Sequence, residues 1–372
     1  MMRVRLMAAL LFLAPAAWAG PEAGDAGLRF VVLSDSRGRD YGVNDAALAL
    51  LVDHIKKDSG AEFVAFPGDM VYGGKVSAGK TREQLVHWRG VMEPLYASPG
   101  LVGLKVYPGI GNHEVWVPGG DKAFLEVFPE LPANGPEGEK GLTYSFDFRG
   151  VHFVMLDTAG GHADGEKGVR GLPLDWLRAD LNAARERGAK RFFAFGHDPA
   201  FPVGPGHIGD SLPRLGRKRL FRDLDPSGLK ARDAFWDLLR ENRVTAYVCG
   251  HEHLNAVESV RGVAQVVAGA AGAPLSSFNP CVDEDGEVPE QDRRGYKKTL
   301  PYYKALGYPH GKGGNCQASP DFWGGRFFGY ALFEVSDAGV SVSFWGVEPK
   351  PGSKTEALDG ASVRLMHRRR LR

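Results

Sequence analysis

The chain is poor in cysteine, has no long apolar run and carries no excess of either charge. Three cysteines in 372 residues allow one disulfide at most, which excludes a fold held together by a disulfide framework. The most apolar run, Leu6 to Leu13, falls far short of the roughly 20 residues that span a bilayer. With 46 Lys and Arg against 45 Asp and Glu, the formal net charge is +1, which excludes a nucleic-acid binder working by bulk charge. No nucleic-acid-binding module is evident. Internal repeats and low-complexity tracts are also missing, so a repeat solenoid is excluded.

What is present reads as a globular protein with a large core: 43% of residues are hydrophobic and 24% charged. The opening "MMRVRLMAALLFLAPAAWAG" has Arg3 and Arg5, then the short apolar run, then the small-x-small triplet Ala17-Trp18-Ala19. That is the pattern of a cleavable export signal over residues 1–19, followed by a linker over 20–27. Its removal takes away two arginines and no acid, turning the net charge to −1. The expected location is periplasmic or secreted, with no transmembrane segment after cleavage. Export brings oxidising conditions, in which Cys281 and Cys316 have the opportunity to pair. Cys249, inside the apolar run "VTAYVCG", reads as a buried and inert thiol.

Short β-branched and aromatic runs alternate with helical patterns, which predicts an α/β layered domain. "NDAALALLVDHIKK" opens on a capping Asn44, and "LDWLRADLNAARERG" closes at Gly188. "LTYSFDFRGVHFVMLD" predicts a hairpin turning at Arg149-Gly150. One domain is expected over 28–346, with a loop-rich insertion at 274–325 rich in Gly, Pro, Asp and Lys. Residues 347–372, ending in "HRRRLR", read as a solvated C-terminal tail.

The polar residues just after the strands carry the chemistry. "RFVVLS" delivers Asp35, "EFVAFP" delivers Gly68-Asp69, and "LKVYPGI" delivers Gly111-Asn112-His113-Glu114. "RFFAF" then delivers Gly196-His197-Asp198-Pro199, and "VTAYVC" delivers Gly250-His251-Glu252-His253. Functional groups collect outside the carboxyl ends of strands in such sheets. Five successive strand ends thus supply carboxylate, amide and imidazole groups to what reads as a single edge.

This set, in this order, resembles the calcineurin-like metallophosphoesterase superfamily, whose motifs read D-x-H, G-D, G-N-H-[DE], H and G-H-x-H. The resemblance runs from Asp35 to His253 and implies a two-sheet α/β/β/α sandwich. It also implies two metal ions: Asp69 between them, Asn112, His197 and His251 on the second, and Asp35 and His253 on the first. His113 becomes the catalytic histidine beside a metal-activated water that attacks phosphorus in line. The match departs from the pattern at Arg37, which stands where the first motif has histidine and has no lone pair to offer a metal.

The first-motif histidine is also missing from purple acid phosphatases, to which "GDMVY", "GNHE", "GHDP" and "CGHEH" are similar, especially to the tartrate-resistant type. That likeness implies Tyr72 as a phenolate ligand, hence Fe at the first site with Fe, Zn or Mn at the second. It also implies His207 as a phosphate contact. The guanidinium of Arg37 reads, from its own chemistry, as a pair for Asp35 or a clamp on substrate phosphate. The expected substrate is a small phosphate monoester. The alternatives are a phosphodiesterase or nucleotidase of the same superfamily, and a non-catalytic metal- or phosphate-binding protein on the same fold.

Overall fold

The computed structural model describes residues 27–73, 77–96, 106–160, 169, 171–201, 203, 226–276, 321–349, 358 and 360–371. The expected signal segment, His207, Cys281, Cys316 and most of the 274–325 insertion lie outside the described residues. None of the described helices is long and apolar enough to cross a membrane.

In chain order the described elements are β1 (Leu28–Val32), β2 (Arg37–Asp40), α1 (Asp45–His54), β3 (Phe63–Pro67), α2 (Ala78–Tyr96), β4 (Val106–Gly109) and α3 (Gly120–Val127). They continue with β5 (Tyr144–Phe148), β6 (Val151–Leu156), α4 (Leu174–Glu186), β7 (Arg191–Gly196), α5 (Pro226–Glu241) and β8 (Ala246–Cys249). The remaining strands are β9 (Asn255–Val260), β10 (Val263–Ala268), β11 (Trp323–Gly325), β12 (Phe328–Ser336), β13 (Gly339–Val347) and β14 (Arg364–Arg370). A six-stranded sheet runs β14-β13-β12-β1-β3-β4, and a seven-stranded sheet runs β11-β9-β10-β8-β7-β6-β5.

Alternation along the strands separates the layers. In β7, Phe193 and Phe195 face the space between the sheets, while Phe192 and Ala194 face outward. In β8, Ala246 and Val248 point inward; Tyr247 and Cys249 point outward under Trp236 and Leu239 of α5. Leu177 and Leu181 of α4 cover the same outer face. On the other side, α2 closes the outer face of the six-stranded sheet, with Trp88 set edge-on against Phe66, their centroids 4.9 Å apart. Helices outside two face-to-face sheets give the α/β/β/α sandwich that the resemblance implies.

The predicted local signals are visible. Asn44 Oδ1 accepts the N–H of Ala47 at 3.2 Å, capping α1. The β5–β6 hairpin turns through Arg149 (φ 48°) and Gly150 (φ 72°), two left-handed residues in succession. The basic stretch expected to be a solvated end is different: residues 364–370 pair antiparallel with β13. Its alternating, half-covered side chains satisfy a sheet edge that would otherwise present unpaired backbone groups. Strands β9, β11 and β14 and helix α3 are too short or too polar to stand out by pattern alone.

Phe30 is the hub of the inter-sheet core. Its ring stacks on Phe63 at 5.1 Å and on Phe333 at 4.8 Å within its own sheet. It also meets Phe153 at 5.2 Å and Phe193 at 5.1 Å, edge-on, across the sandwich. Replacing it by alanine removes contacts to both sheets, so Phe30→Ala is expected to lower unfolding free energy by about 3–5 kcal/mol. Urea unfolding followed by circular dichroism measures this; a loss well under 1 kcal/mol would show that the site collapses and that Phe30 is not the hub.

Candidate metal centre

Strands β1, β3 and β4 run parallel in one sheet; β6, β7 and β8 run parallel in the other. Their carboxyl ends therefore open on one edge of the sandwich. The segments after β1, β3, β4, β7 and β8 bring Asp35, Asp69, Asn112 and His113, His197, and His251 and His253 together there. Asp69, His197 and His251 form one group whose ligating atoms all lie within 4.8 Å; Asp35, Asp69 and His253 form the other.

Fixing these side chains costs backbone strain. Asp35 (φ 63°), Asp69 (φ 51°) and His251 (φ 68°) all sit in the left-handed region, which non-glycine residues rarely occupy. Such strain persists only where surrounding structure over-determines it. Asp35 Oδ2 accepts the N–H of His251 at 2.8 Å, tying the two sheets together. Gly250 permits that contact, since a Cβ there would come 2.3 Å from Asp35 Oδ2. Glu114, fully buried, accepts backbone N–H groups from Asp69 at 2.9 Å, Val71 at 3.1 Å and Gly111 at 2.8 Å. It braces two ligand loops through their backbone. Thr158 Oγ1 accepts the N–H groups of His197 at 3.0 Å and Asp198 at 2.9 Å, setting the fourth loop.

Carbonyl acceptors fix the histidine tautomers, because a carbonyl can only accept. His197 Nδ1–H donates to the Pro67 carbonyl at 3.1 Å, and His253 Nδ1–H to the Pro274 carbonyl at 2.9 Å. Both therefore turn Nε2 to the centre; in His197 that nitrogen faces the Asn112 and Asp69 oxygens, so a metal ion held there would take the place of its proton. His197 Nε2 lies 3.0 Å from Asn112 Oδ1, 3.1 Å from His251 Nδ1 and 3.2 Å from Asp69 Oδ1. Donor atoms around a metal with bonds of roughly 2.1 Å lie about 3.0–3.4 Å apart. This second position fits a metal ion in spacing and in donor chemistry. His251 Nε2 faces Asp198 Oδ1 at 3.8 Å, a carboxylate placed to hold the ring.

His113 stands beside that position. Its Nδ1–H donates to the Tyr72 carbonyl at 2.6 Å, its backbone N–H donates to Asp69 Oδ1 at 3.0 Å, and its Nε2 faces Asp69 Oδ2 at 3.8 Å. Trp116 packs edge-on against the ring at 4.5 Å. Tyr72 touches the centre through its carbonyl; its ring is 41% exposed and leans on His113 and Trp116. The first position differs from the second. Arg37 Nη2–H donates to His253 Nε2 at 3.1 Å, and Arg37 Nε lies 3.6 Å from Asp69 Oδ2. The ion pair expected with Asp35 is made with Asp69 instead.

The pattern alone gave no signal for Glu114 as a brace. Thr158 did leave a trace in "VMLDT", a short polar end on a buried strand.

A buried two-sheet centre of carboxylates, an amide and imidazoles, held at strand ends, defines the metallophosphoesterase class. The chain belongs to the calcineurin-like phosphoesterase family, whose sequence model matches residues 28–255. The family uses a dinuclear metal centre. Comparison by sequence with curated proteins gave no match. Among solved structures, the chain is similar in fold to a purple acid phosphatase from yellow lupin (Lupinus luteus), with TM-score 0.56 and 14% identity over 86% of this chain and 51% of that one. It thus spans about half the length of the lupin protein. PhoD matches with TM-score 0.56 and 13% identity, over 92% of this chain and 69% of that one. A dimetal phosphatase from Danio rerio matches with TM-score 0.50 and 15% identity, over 86% and 96%. At these identities the likeness is one of fold.

Burial and charge set the electrostatics. Burial raises Asp35 to about 6, with Asp69 adding to the effect while His197 and His251 oppose it. Burial also raises Glu114 to about 8, again helped by Asp69. Burial pushes Asp69 the same way, but His197, His113, His251 and Arg37 outweigh it and hold the carboxyl well below its usual range. Burial lowers His197, yet Asp69 and Asp35 prevail and its pKa rises. Burial lowers His113.

An acid with a raised folded pKa, or a histidine with one, stabilises the fold at low pH and loses that contribution as pH rises through the folded value. Well above pH 6.5 His113 is neutral in both states, so Glu114 and His197 set the slope there. Metal-stripped protein is therefore expected to lose a few degrees of Tm between about pH 7 and 8. Protein with metal bound should lose less, because a cation offsets the carboxylate charge. Thermal unfolding with and without chelator checks this; equal slopes would contradict it.

Proposed function

We propose that this chain is an exported, metal-dependent phosphoesterase acting on small phosphate monoesters. One observation carries the reading: Asn112 Oδ1, His251 Nδ1 and Asp69 Oδ1 all lie 3.0–3.2 Å from His197 Nε2, with buried His113 Nε2 facing the same Asp69 carboxylate. Asp69, Asn112, His197 and His251 would hold a metal ion, which when bound would supply positive charge for phosphoryl oxygens and lower the pKa of a nearby water. Fe, Mn and Zn suit these oxygen and imidazole donors.

The protein's own groups do the rest. With Nδ1–H committed to the Tyr72 carbonyl, His113 acts through Nε2. Asp69 favours a proton there and burial opposes it, so the proton is readily passed to a leaving alkoxide or shared with a phosphoryl oxygen. Asp198 and Thr158 hold His251 and His197 in place while charge develops. Glu114 keeps the Asp69 and Gly111 loops from opening. Tyr72 and Trp116, 41% and 44% exposed, form the rim on the His113 side.

Preference for monoesters is supported by the motif details shared with purple acid phosphatases, namely a first motif without histidine and "GHDP". The lupin phosphatase adds support through its fold. Export is supported by the pattern of residues 1–19. Purified protein supplied with Fe, Mn or Zn is expected to hydrolyse p-nitrophenyl phosphate faster than bis(p-nitrophenyl) phosphate. His113→Ala should retain bound metal while kcat falls about 10²–10⁴-fold. Faster diester turnover would assign a phosphodiesterase, no turnover of either ester a binding protein, and full kcat in His113→Ala would remove that residue from the chemistry.

A further inference from the structure

We infer that the Arg37 guanidinium occupies the first metal position, so that this centre takes one metal ion where its family takes two. The inference rests on the metal centre described above and concerns its stoichiometry.

The backbone around Arg37 is built to turn the side chain inward. Arg37 bridges to Val43, and Gly38 N–H donates to the Gly42 carbonyl at 3.0 Å, closing a tight loop. Gly38 is required there, since a Cβ would come 2.4 Å from the Asn44 nitrogen. The result is an arginine only 19% exposed, aimed between the two sheets.

What it meets is the donor set that a first ion requires. His253 gives its Nδ1–H to Pro274, so its one lone pair is on Nε2, and that lone pair accepts from Arg37 Nη2–H at 3.1 Å. An imidazole nitrogen has no second lone pair for a metal. Arg37 Nε, buried and without a hydrogen-bond partner among the described residues, lies 3.6 Å from Asp69 Oδ2, the carboxylate shared by both groups. Asp35 Oδ1, also buried and without a hydrogen-bond partner among the described residues, lies 3.7 Å from His253 Nε2. An ion at this position would have to claim Asp35 Oδ1 and expel the guanidinium from His253 together. Arginine stays protonated at any relevant pH, so its charge is permanent.

Charge balance follows the same line. Two buried carboxylates need compensating cations, and Arg37 supplies one while an ion at the second position supplies the other. A fixed guanidinium also offers N–H donors to a phosphoryl oxygen, a role suited to its planar fork. The chemistry then depends on a single dissociable ion.

Stoichiometry tests this without relying on activity. Full-length protein is loaded with Mn²⁺, desalted, and assayed for manganese per chain by plasma mass spectrometry, with electron paramagnetic resonance on the same sample. Wild type is expected to hold one ion per chain, with the spectrum of an isolated Mn²⁺. Arg37→His, which restores an imidazole, is expected to hold two ions with an exchange-coupled spectrum, circular dichroism confirming its fold. Two ions or a coupled spectrum in wild type would overturn the inference, and that measurement stands even where the variant fails to fold. A visible charge-transfer band in iron-loaded wild type that vanishes in Tyr72→Phe would overturn it too, by placing a phenolate-bound ion at the first position. Wild type that retains no manganese, iron or zinc overturns the metal-centre reading itself, whereas two ions overturn the stoichiometry alone.

Discussion

Two carboxylates, Asp35 and Asp69, are buried at the junction of the two sheets. A buried like-charged pair is among the most costly arrangements a protein can adopt, unless cations and hydrogen bonds surround it. Much of the architecture near the sheet edge serves that requirement. His197, His113, His251 and Arg37 all act on Asp69, and Asp35 is anchored by the His251 N–H from the opposite sheet. The large aromatic core around Phe30 holds the sheets in the register that makes these contacts possible.

The same requirement accounts for the strained backbone. Asp35, Asp69 and His251 adopt positive φ because each must turn sharply off the end of its strand and still point inward. Glu114 and Thr158 hold those turns through backbone N–H groups. Neither group needs to touch substrate, yet without them the ligands would lose their preorganised spacing. Burial acts in two directions here. It raises the Asp35 and Glu114 pKa values and makes the centre want a cation, while it lowers His113 and leaves that proton easy to transfer.

Membership of the calcineurin-like phosphoesterase family and the arrangement at Arg37 stand in tension of an informative kind. The second position keeps all four expected donors at metal-like spacing. The first keeps Asp35, Asp69 and His253 but directs an arginine at the His253 lone pair. The difference lies in one residue of a short motif, Arg37, which stands where the family pattern has histidine.

The amino-acid sequence by itself determined the α/β layering, the caps and turns at Asn44 and Arg149-Gly150, and the order of polar residues after the strands; the two-sheet arrangement was implied by the family resemblance. These follow from local rules: alternation, helical spacing, and turn chemistry act over a few residues. Three-dimensional structure alone decided what depends on distant partners. The tautomers of His197 and His253 come from carbonyls of Pro67 and Pro274, and Glu114 turned out to brace loops from β3 and β4. The basic stretch 364–370 became an edge strand because β13 offered it a partner. Arg37 shows the division most clearly. Its inability to bind metal is intrinsic to its side chain, but its contact with His253 spans 216 positions and exists only because the two sheets meet at that edge.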